Sequence, residues 1–544
     1  MAQSVVKLPV GHEPAPLTQA SEPATAQAPK RPLSAISLLT AGGDHRIRLD
    51  EATGLNPYGC QPFPDEAVRP FGSSTASVIS VPAYAGAEQL TERLSRALAD
   101  GAEPAKLYAA ELTRIRAEFL GLMGLTDLAD LRMVIARSGT DLHRVLAQLM
   151  GLGTCEPPLI IASEPSETGS GVDEALGGQA SAGASLRSHV SVFRPAGAPR
   201  PCQIVAAASR EADGRLRPRE TVDAEVAAQA TAAASLGRRV LLVLMDVSKT
   251  GLISPSLGCA LALKQRFPDQ VEVLVDACQL RIAPATIRAY LQADFLVAAT
   301  GSKFMTGPTF SAALLVPPSA ALRLSAHRLP MTLAPHCARA DWPQDWPGAE
   351  ALPNGSNLGL VLRWQAALDE MAPFLALPGE QVRAFFEAFA MAATGRLEHD
   401  PAFERLPQHS LDRSALGAAE SWDGVHTIHP FLLKGPNGPL NPEDTLALHR
   451  LMAMDLGGWA RAVGEAAPSQ TSAGMRIQLG QPVSCGHRAG APIRVLRLCA
   501  SARVAVDALA PGGRGPQAVI DDALAALDKA AWLVRRITSG TSGS

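Results

Sequence analysis

Short runs of apolar residues alternate with segments of helical periodicity through the middle of the chain. Unbroken apolar runs of this kind, bounded by turn residues, are typical of strands buried on both faces. Because they alternate with helices, they indicate an α/β fold with a mostly parallel sheet. The predicted strands are Met133–Ala136, Leu159–Ala162, Gln203–Ala206, Val240–Met245, Val271–Val275, Phe295–Ala298 and Ala312–Val316. Ligands of such sheets bind beyond the carboxyl ends of the strands, where we expect the functional site.

The pattern changes on either side of this region. Residues 1–40 are rich in Ala, Pro, Gln, Ser and Thr, and they predict a disordered leader because this composition cannot bury a core. Residues 41–330 form the predicted large domain. Mixed helix and strand patterns over residues 331–510, with predicted strands at Thr427–Leu433 and Arg494–Cys499, predict a smaller α+β domain. Residues 511–544 predict a C-terminal helix followed by a flexible Gly/Ser/Thr tail.

Charge and cysteine usage narrow the class of protein. The 544 residues carry a formal net charge of −3, which favours neither nucleic acid nor an anionic membrane as a partner. No apolar run approaches the length of a membrane-spanning helix. The eight cysteines form no CxxC pair, so we predict reduced thiols in a cytoplasmic protein. No metal site is predicted.

A candidate anion site follows the first predicted strand. Ser138, Gly139, Thr140 and Asp141 join that strand to a helix. Hydroxyl groups and unpaired backbone N–H groups at the start of a helix bind phosphate readily. Because Ser, Thr and Asp also cap helices without any ligand, an ordinary capping loop is the simpler interpretation of these residues alone.

Asp276, Gln279 and Lys303 form a second candidate group. Asp276 ends an apolar strand, where a carboxylate is costly unless a cation or hydrogen-bond donors pair with it. A pyridinium N–H is one such partner, and Gln279 could donate to the phenolate oxygen of the same ring. Lys303 offers an amine for a Schiff base, so the group suits pyridoxal 5′-phosphate (PLP). Asp276 could instead be a helix cap, and Lys303 could be a solvated surface lysine. The apolar strands on both sides of Lys303 make the second alternative less suitable.

These residues resemble a known family. Fold-type I PLP-dependent enzymes of the class V aminotransferase and cysteine desulfurase group carry Asp-x-x-Gln, followed by Ser-x-His-Lys and then Gly-Pro. Asp276, Gln279 and Lys303 occupy the matching positions. The resemblance implies PLP as cofactor and a PLP-dependent transferase fold, with a sheet of the seven-stranded type and a smaller α+β C-terminal domain. It places these residues at the cofactor: Ser138, Gly139, Thr140, Thr300 and Ser302.

Two more segments extend the resemblance towards the cofactor. The loop Asp246–Pro255 is similar to the family loop between the two central strands, which implies that Ser248 lies near the cofactor. The segment Asn354–Asn357 resembles one that, in the family, reaches the phosphate held by the partner subunit. Ser356 would play that part, which implies a homodimer.

The resemblance also suggests how substrate is bound. Arg497 follows Gln481-Pro482-Val483 as in the small-domain strand whose arginine binds the substrate carboxylate, an anion that suits a planar guanidinium. Arg494 and Arg503 are competing choices. In the N-terminal stretch that lines the substrate entrance of such enzymes, the candidates are Asn56 and Tyr58, for which a plain turn is an equally good interpretation.

Thr300 and Ser302 replace the serine and histidine of the family motif Ser-x-His-Lys, and the chain departs from the family at two further places. No histidine stands where one would stack on the cofactor ring, and His143 is expected to be packed or solvated. In one desulfurase branch a cysteine lies just before Ala-Gln-Pro, but here Leu479 and Gly480 precede Gln481. Cys485 lies on the wrong side and is expected to be a small buried residue. A persulfide-forming desulfurase is therefore disfavoured.

The predicted function is a PLP-dependent enzyme that acts on an amino acid or a related amine through Lys303. Aminotransferase or Cβ-lyase chemistry comes first, and an epimerase or a cysteine desulfurase-like enzyme is the alternative. A non-catalytic protein that uses the fold for binding or regulation is a third hypothesis. Such a protein has no need of the Schiff-base lysine, so the presence of Lys303 speaks against it.

Overall fold

A computed structural model describes residues 33–169, 171–177, 199–417 and 421–540. The leader predicted for residues 1–40 lies mostly outside the described residues, as does the end of the tail. Immediately after the start of the described chain, Ser34 caps a short helix, and this helix buries three residues: Ala35, Leu38 and Leu39.

The structure contains two sheets. The strands are β1 (Val68–Phe71), β2 (Arg132–Ala136), β3 (Leu159–Ser163), β4 (Gln203–Ala207), β5 (Val240–Asp246), β6 (Ile253–Ser254), β7 (Val271–Ala277), β8 (Leu296–Thr300), β9 (Ala312–Val316), β10 (Phe403–Arg405), β11 (Ile428–Gly435), β12 (Gly438–Pro439), β13 (Arg476–Arg488) and β14 (Ala491–Cys499). Each strand predicted for the large domain is confirmed to within two residues.

Helices cover the sheets and join the strands. They are α1 (Ala35–Leu39), α2 (Val81–Ala99), α3 (Pro104–Leu122), α4 (Gly139–Met150), α5 (Val172–Leu176), α6 (Arg219–Ser235), α7 (Leu257–Arg266), α8 (Pro284–Gln292), α9 (Pro318–Leu324), α10 (Leu358–Leu375), α11 (Gly379–His399), α12 (Pro442–Met452), α13 (Gly457–Ala462), α14 (Ala467–Gly474), α15 (Ala502–Leu509) and α16 (Pro516–Gly540). None of those in the described chain is both long and apolar enough to cross a membrane.

The larger sheet has the strand order β2-β9-β8-β7-β5-β3-β4, with the short β6 paired to β5. Neighbours from β8 through β4 run parallel, whereas β9 is antiparallel to both β8 and β2. Successive residues of β5 enter opposite cores, since Leu242 packs in one hydrophobic cluster and Leu241 and Val243 in the other. Burial of β5 on both faces explains why Val240–Met245 is an unbroken apolar run.

The smaller sheet has the order β1-β13-β14-β11-β10. The sequence analysis finds β11 and β14 but misses β1 and β13. Strand β1 contains Pro70 and lies at the edge of the sheet, where a missing N–H is tolerated. The register of β13 against β14 shifts between Gly480 and Val483, because a bulge interrupts the pairing there. The bulge follows directly after Gly480, the residue that pairs with Arg497 of the neighbouring strand.

Helix α16 confirms the predicted C-terminal helix and packs on α11, α14 and α15. Its apolar face is buried, including Leu527, Trp532 and Leu533. Helix α16 is therefore packed against the helices that cover the smaller sheet.

Candidate active site

A cavity of about 520 Å³ lies beyond the carboxyl ends of the central strands. This size is suitable for a small cofactor together with a substrate. Nine of the predicted site residues line it: Tyr58, Ser138, Gly139, Thr140, Asp276, Thr300, Ser302, Lys303 and Arg497. The connections after β2, β5, β7 and β8 all contribute to its wall, as expected for a parallel sheet.

Four predicted residues do not line this cavity: Asn56, Ser248, Gln279 and Ser356. The Asn56 side chain accepts hydrogen bonds from the backbone N–H groups of Tyr58 and Cys60, both at 3.0 Å, which is the geometry of a plain turn. Ser356 is exposed in the loop before α10.

The other two side chains are engaged elsewhere. Ser248 Oγ donates to a carboxylate oxygen of Glu167 at 2.6 Å. Gln279 Nε2 donates to the carbonyl oxygen of Ser74 at 3.1 Å. Both therefore hold neighbouring loops in place rather than facing the cavity.

The loop from β2 to α4 both caps the helix and faces the cavity. Ser138 Oγ accepts from the N–H of Asp141 at 3.2 Å and donates to its carboxylate at 2.9 Å. Gly139 opens the helix against Cys278, and a Cβ at this position would stand 2.7 Å from Cys278 Sγ. Only glycine fits without displacing the thiol, so the backbone N–H groups of the helix start remain accessible from the cavity.

Asp276 lies near the end of β7 and is buried, with 4% exposure. Its carboxylate accepts from the N–H of Cys278 at 3.1 Å and lies 3.2 Å from His143 Nε2. Burial alone would raise the pKa of Asp276, but the charge of His143 and these donors lower it below its ordinary value. Asp276 is thus held ionised at the cavity wall.

His143 is packed against Asp276, in keeping with the packed alternative of the sequence analysis. Its Nδ1 lies 2.8 Å from the carbonyl oxygen of Gly139, which can only accept, so Nδ1 carries a proton. Burial lowers the pKa of His143, but Asp276 opposes it and the net pKa is raised. The raised pKa favours a second proton on Nε2, 3.2 Å from the carboxylate, which would make the pair an imidazolium with a carboxylate.

Lys303 follows β8 and reaches into the cavity. Its Nζ donates to the carbonyl oxygen of Thr75 at 2.8 Å. Burial, and then the positive charge of Arg497, lower the pKa of Lys303 to about 8. At pH 7 about a tenth of this amine is therefore unprotonated, far more than for an ordinary lysine, and this is the form that attacks carbonyl carbon.

Arg497 is the one of the three candidate arginines that lines the cavity. Its guanidinium donates to Gln481 O at 2.6 Å and to Thr75 Oγ1 at 2.9 Å, and its Nε has no hydrogen-bond partner among the described residues. By contrast, Arg503 pairs with Glu370 at 2.5 Å, and Arg494 is not part of the lining. A buried guanidinium with an unused donor suits an anionic ligand.

Several residues of the wall are not predicted from the sequence, among them Arg46, Thr75, Lys249 and Cys278. Lys249 and Cys278 follow the ends of β5 and β7, a position that could have marked them. Thr75 shows no such signal, because it belongs to an irregular segment between β1 and α2.

The donor set fits PLP. It comprises a buried carboxylate for the ring nitrogen, an amine of lowered pKa and hydroxyl groups beside a helix start. In the described ranges, no group of three or more His, Cys, Asp or Glu side chains is arranged to hold a metal ion.

Solved structures provide the comparison for the whole fold. The cysteine desulfurase CsdA from Escherichia coli is 16% identical to this chain, with a TM-score of 0.51 over 86% of this chain and 96% of CsdA. A cystine C–S lyase, C-DES, is 14% identical, with a TM-score of 0.49 over 85% of this chain and 97% of the lyase. No protein-family profile and no curated protein matches the sequence. The chain therefore has the fold of CsdA, which confirms the predicted fold of the fold-type I PLP-dependent enzymes.

Proposed function

We propose that the protein is a PLP-dependent enzyme that acts on an amino acid or a related amine, with aminotransferase or Cβ-lyase chemistry. The observation that carries this proposal is one cavity that brings Lys303 and Asp276 together with the hydroxyl-rich start of α4. Neither residue type is unusual alone, but an amine of lowered pKa in the same cavity as a paired, buried carboxylate is a costly arrangement for a merely structural site.

Lys303 would hold PLP through its amine, and the cofactor would supply an electron sink for the substrate. Asp276, held ionised beside His143, would lie at the ring nitrogen and favour its protonated form. Lys303 then moves the proton at the substrate Cα, a task that suits an amine whose pKa is about 8. Arg497 binds the substrate carboxylate and orients the amino group towards Lys303.

Transamination and Cβ elimination share these roles, and an epimerase would use them too. A persulfide-forming desulfurase has less support. Leu479 and Gly480 occupy the positions before Gln481, and Cys485 is buried among Leu406, Leu432 and Val495, away from the cavity lining. A non-catalytic binding protein is opposed by the lowered pKa of Lys303, which costs stability without serving such a role.

Ser356 supports a homodimer in this proposal. It lies exposed before α10, outside the cavity of its own chain, as a residue serving a second subunit would. Light scattering tests the dimer. A mixture of Lys303→Ala and Ser356→Asp chains tests the exchange, because only a mixed dimer has one site with both native residues. Recovery of cofactor trapping in the mixture, absent in each variant alone, is expected.

The localisation in this proposal is cytoplasmic. All eight cysteines are free thiols, as expected in a reducing compartment. Fractionation of cells that express the protein tests this point.

Borohydride trapping tests the central proposal. The protein is loaded with PLP, reduced, digested and mapped by mass spectrometry. A reduced cofactor adduct is expected on the peptide that contains Lys303, and Lys303→Ala should lose it. An adduct on Lys249, the other lysine of the cavity, would contradict the assignment.

Product analysis then separates the reactions. Keto acid formed only with an amino-group acceptor indicates transamination, whereas pyruvate with sulfide or ammonia and no acceptor indicates a lyase. Loss of optical purity alone indicates an epimerase. A trapped cofactor at Lys303 with every amine unchanged would favour the binding protein.

A further inference from the structure

The cavity contains more positive charge than its own residues neutralise. Arg46 is matched by Asp44, with Nε and Nη2 at 3.0 and 2.7 Å from the carboxylate. Asp276 is matched by His143. Two cationic side chains of the lining, Arg497 and Lys249, have no carboxylate within ion-pair distance in the described part of the chain. The carboxylates that act on Lys249 from farther away are those of Glu167 and the exposed Asp173. Lys303 is reserved for the cofactor in the proposed function.

Lys249 is held by its neighbours in the loop after β5. Its backbone N–H donates to the carbonyl oxygen of Glu167 at 2.9 Å. The residues on either side bind the Glu167 carboxylate, Ser248 through its hydroxyl at 2.6 Å and Thr250 through its hydroxyl and N–H at 2.6 and 3.0 Å. Anchored on both sides, the loop presents Lys249 to the cavity.

The Glu167 carboxylate is not a free counter-charge for Lys249. It is buried and already pairs with Arg210 Nε at 2.9 Å, in addition to the loop donors. The Nζ of Lys249 has a carbonyl oxygen as its acceptor, that of Pro165 at 3.3 Å. A carbonyl solvates an ammonium group without neutralising its charge.

Lys249 and Arg497 are neighbours. The guanidinium of Arg497 lies 3.4 Å from the carbonyl oxygen of Lys249. Burial, and then the charge of Arg497, lower the pKa of Lys249 to about 8. The two cations thus destabilise each other, and an anion that neutralises Arg497 also favours the charged form of Lys249.

We propose that Lys249 binds a second anionic group on the substrate, so that the enzyme selects amino acids with an anionic side chain. In this arrangement Arg497 binds the α-carboxylate of the substrate. Lys249 binds the carboxylate or phosphate of the substrate side chain. This inference rests on the proposed function. The phosphate of the cofactor has its own site at the start of α4, so it leaves the charge of Lys249 available.

The physical reason for selectivity is the cost of a desolvated cation without a partner. A substrate with a neutral side chain closes the cavity over Lys249 and leaves its ammonium group unpaired. An anionic side chain removes that cost and adds a charge-assisted hydrogen bond. Discrimination by a site that requires an ionic partner exceeds what differences in apolar contact provide.

Equilibrium binding to the PLP-loaded protein tests the inference without turnover. Aspartate and glutamate methylated at Cα, which have no Cα proton to lose, are compared with their side-chain amides by calorimetry. O-phosphoserine against serine, both likewise methylated at Cα, distinguishes phosphate from carboxylate. The wild-type protein should bind the anionic member of at least one pair about tenfold more tightly, or ~1.4 kcal/mol. Equal binding within every pair overturns the inference.

Variants of Lys249 test whether this residue causes the preference for anionic ligands. Lys249→Met should weaken the anionic ligand about tenfold and leave its amide unchanged, and Lys249→Arg should retain the preference. Lys106→Met removes an exposed lysine outside the cavity and serves as the control for overall charge. A loss in Lys249→Met that is the same for both members of a pair overturns the role of Lys249.

Failure of the Lys249 assignment can be distinguished from failure of the proposed function. If no cofactor is trapped at Lys303, the proposed function fails before substrates are compared. If the cofactor is trapped there but charged and neutral ligands bind alike, only the assignment of Lys249 fails.

Discussion

His143 Nε2 lies 3.2 Å from Asp276 Oδ2, and both side chains are buried at the base of the cavity. The second ring nitrogen of His143 is occupied by the carbonyl oxygen of Gly139, four residues earlier in α4. The helix that starts at the candidate phosphate site therefore also sets the protonation state of the carboxylate at the candidate ring site. Two functions of the cavity depend on one turn of one helix.

Replacing His143 should destabilise the protein, because Asp276 would be left as a buried carboxylate without its partner. His143→Asn is expected to lower the free energy of unfolding by about 3 kcal/mol, because Asp276 loses its cationic partner. Urea unfolding of the cofactor-free protein measures the change. His399→Asn is a matched control, since His399 makes the same Nδ1 contact to a carbonyl four residues earlier but is exposed. A comparable loss of unfolding free energy in both variants would show that the contact of the histidine with its own helix, and not Asp276, causes the destabilisation.

The pair should also leave a signature in the dependence of stability on pH. The pKa of His143 is raised in the folded protein, so its contribution is complete below about 6.5 and is lost as the pH rises through the folded value. The pKa of Asp276 is lowered, so its contribution is lost only as the pH falls through that lower value. We expect the stability difference between wild type and His143→Asn to shrink from pH 6 to pH 9.

Urea midpoints at each pH test this expectation. Taking the difference between the two proteins removes the titration of Lys303 and Lys249, which both variants share. A difference that stays constant across this range would show that folding does not raise the pKa of His143.

The fold and the positions of Asp276 and Lys303 can be predicted because the sequence patterns that indicate them are local. Each strand of the large sheet is an apolar run, and Asp276 and Lys303 directly follow such runs. The side chains of Ser248 and Gln279 cannot be placed this way, because their directions are set by Glu167 and Ser74, which are remote in the sequence. The orientation of a loop residue depends on the partner that holds the loop.

Arg497 should control the reactivity of Lys303. The positive charge of Arg497 contributes to the lowered pKa of Lys303, about 8. Arg497→Met should therefore raise the pKa of Lys303 and shift the pH midpoint of cofactor trapping upward. Borohydride trapping of PLP between pH 6.5 and pH 10 measures the midpoint. Arg494→Met, outside the cavity lining, should leave it in place. An unmoved midpoint in Arg497→Met would contradict the coupling.

The start of α4 should tolerate no side chain. In Gly139→Ala the new Cβ would stand 2.7 Å from Cys278 Sγ, and we expect a loss of about 1–3 kcal/mol in stability together with weaker PLP binding. Gly395→Ala is the control, because Gly395 lies inside α11 with nothing within 4 Å of the added Cβ and should gain about 0.5–1 kcal/mol. The double variant Gly139→Ala/Cys278→Ala removes the opposing thiol and should recover much of the loss. Failure of the second substitution to restore either stability or PLP affinity would show that the close contact with Cys278 is not what requires glycine at the helix start.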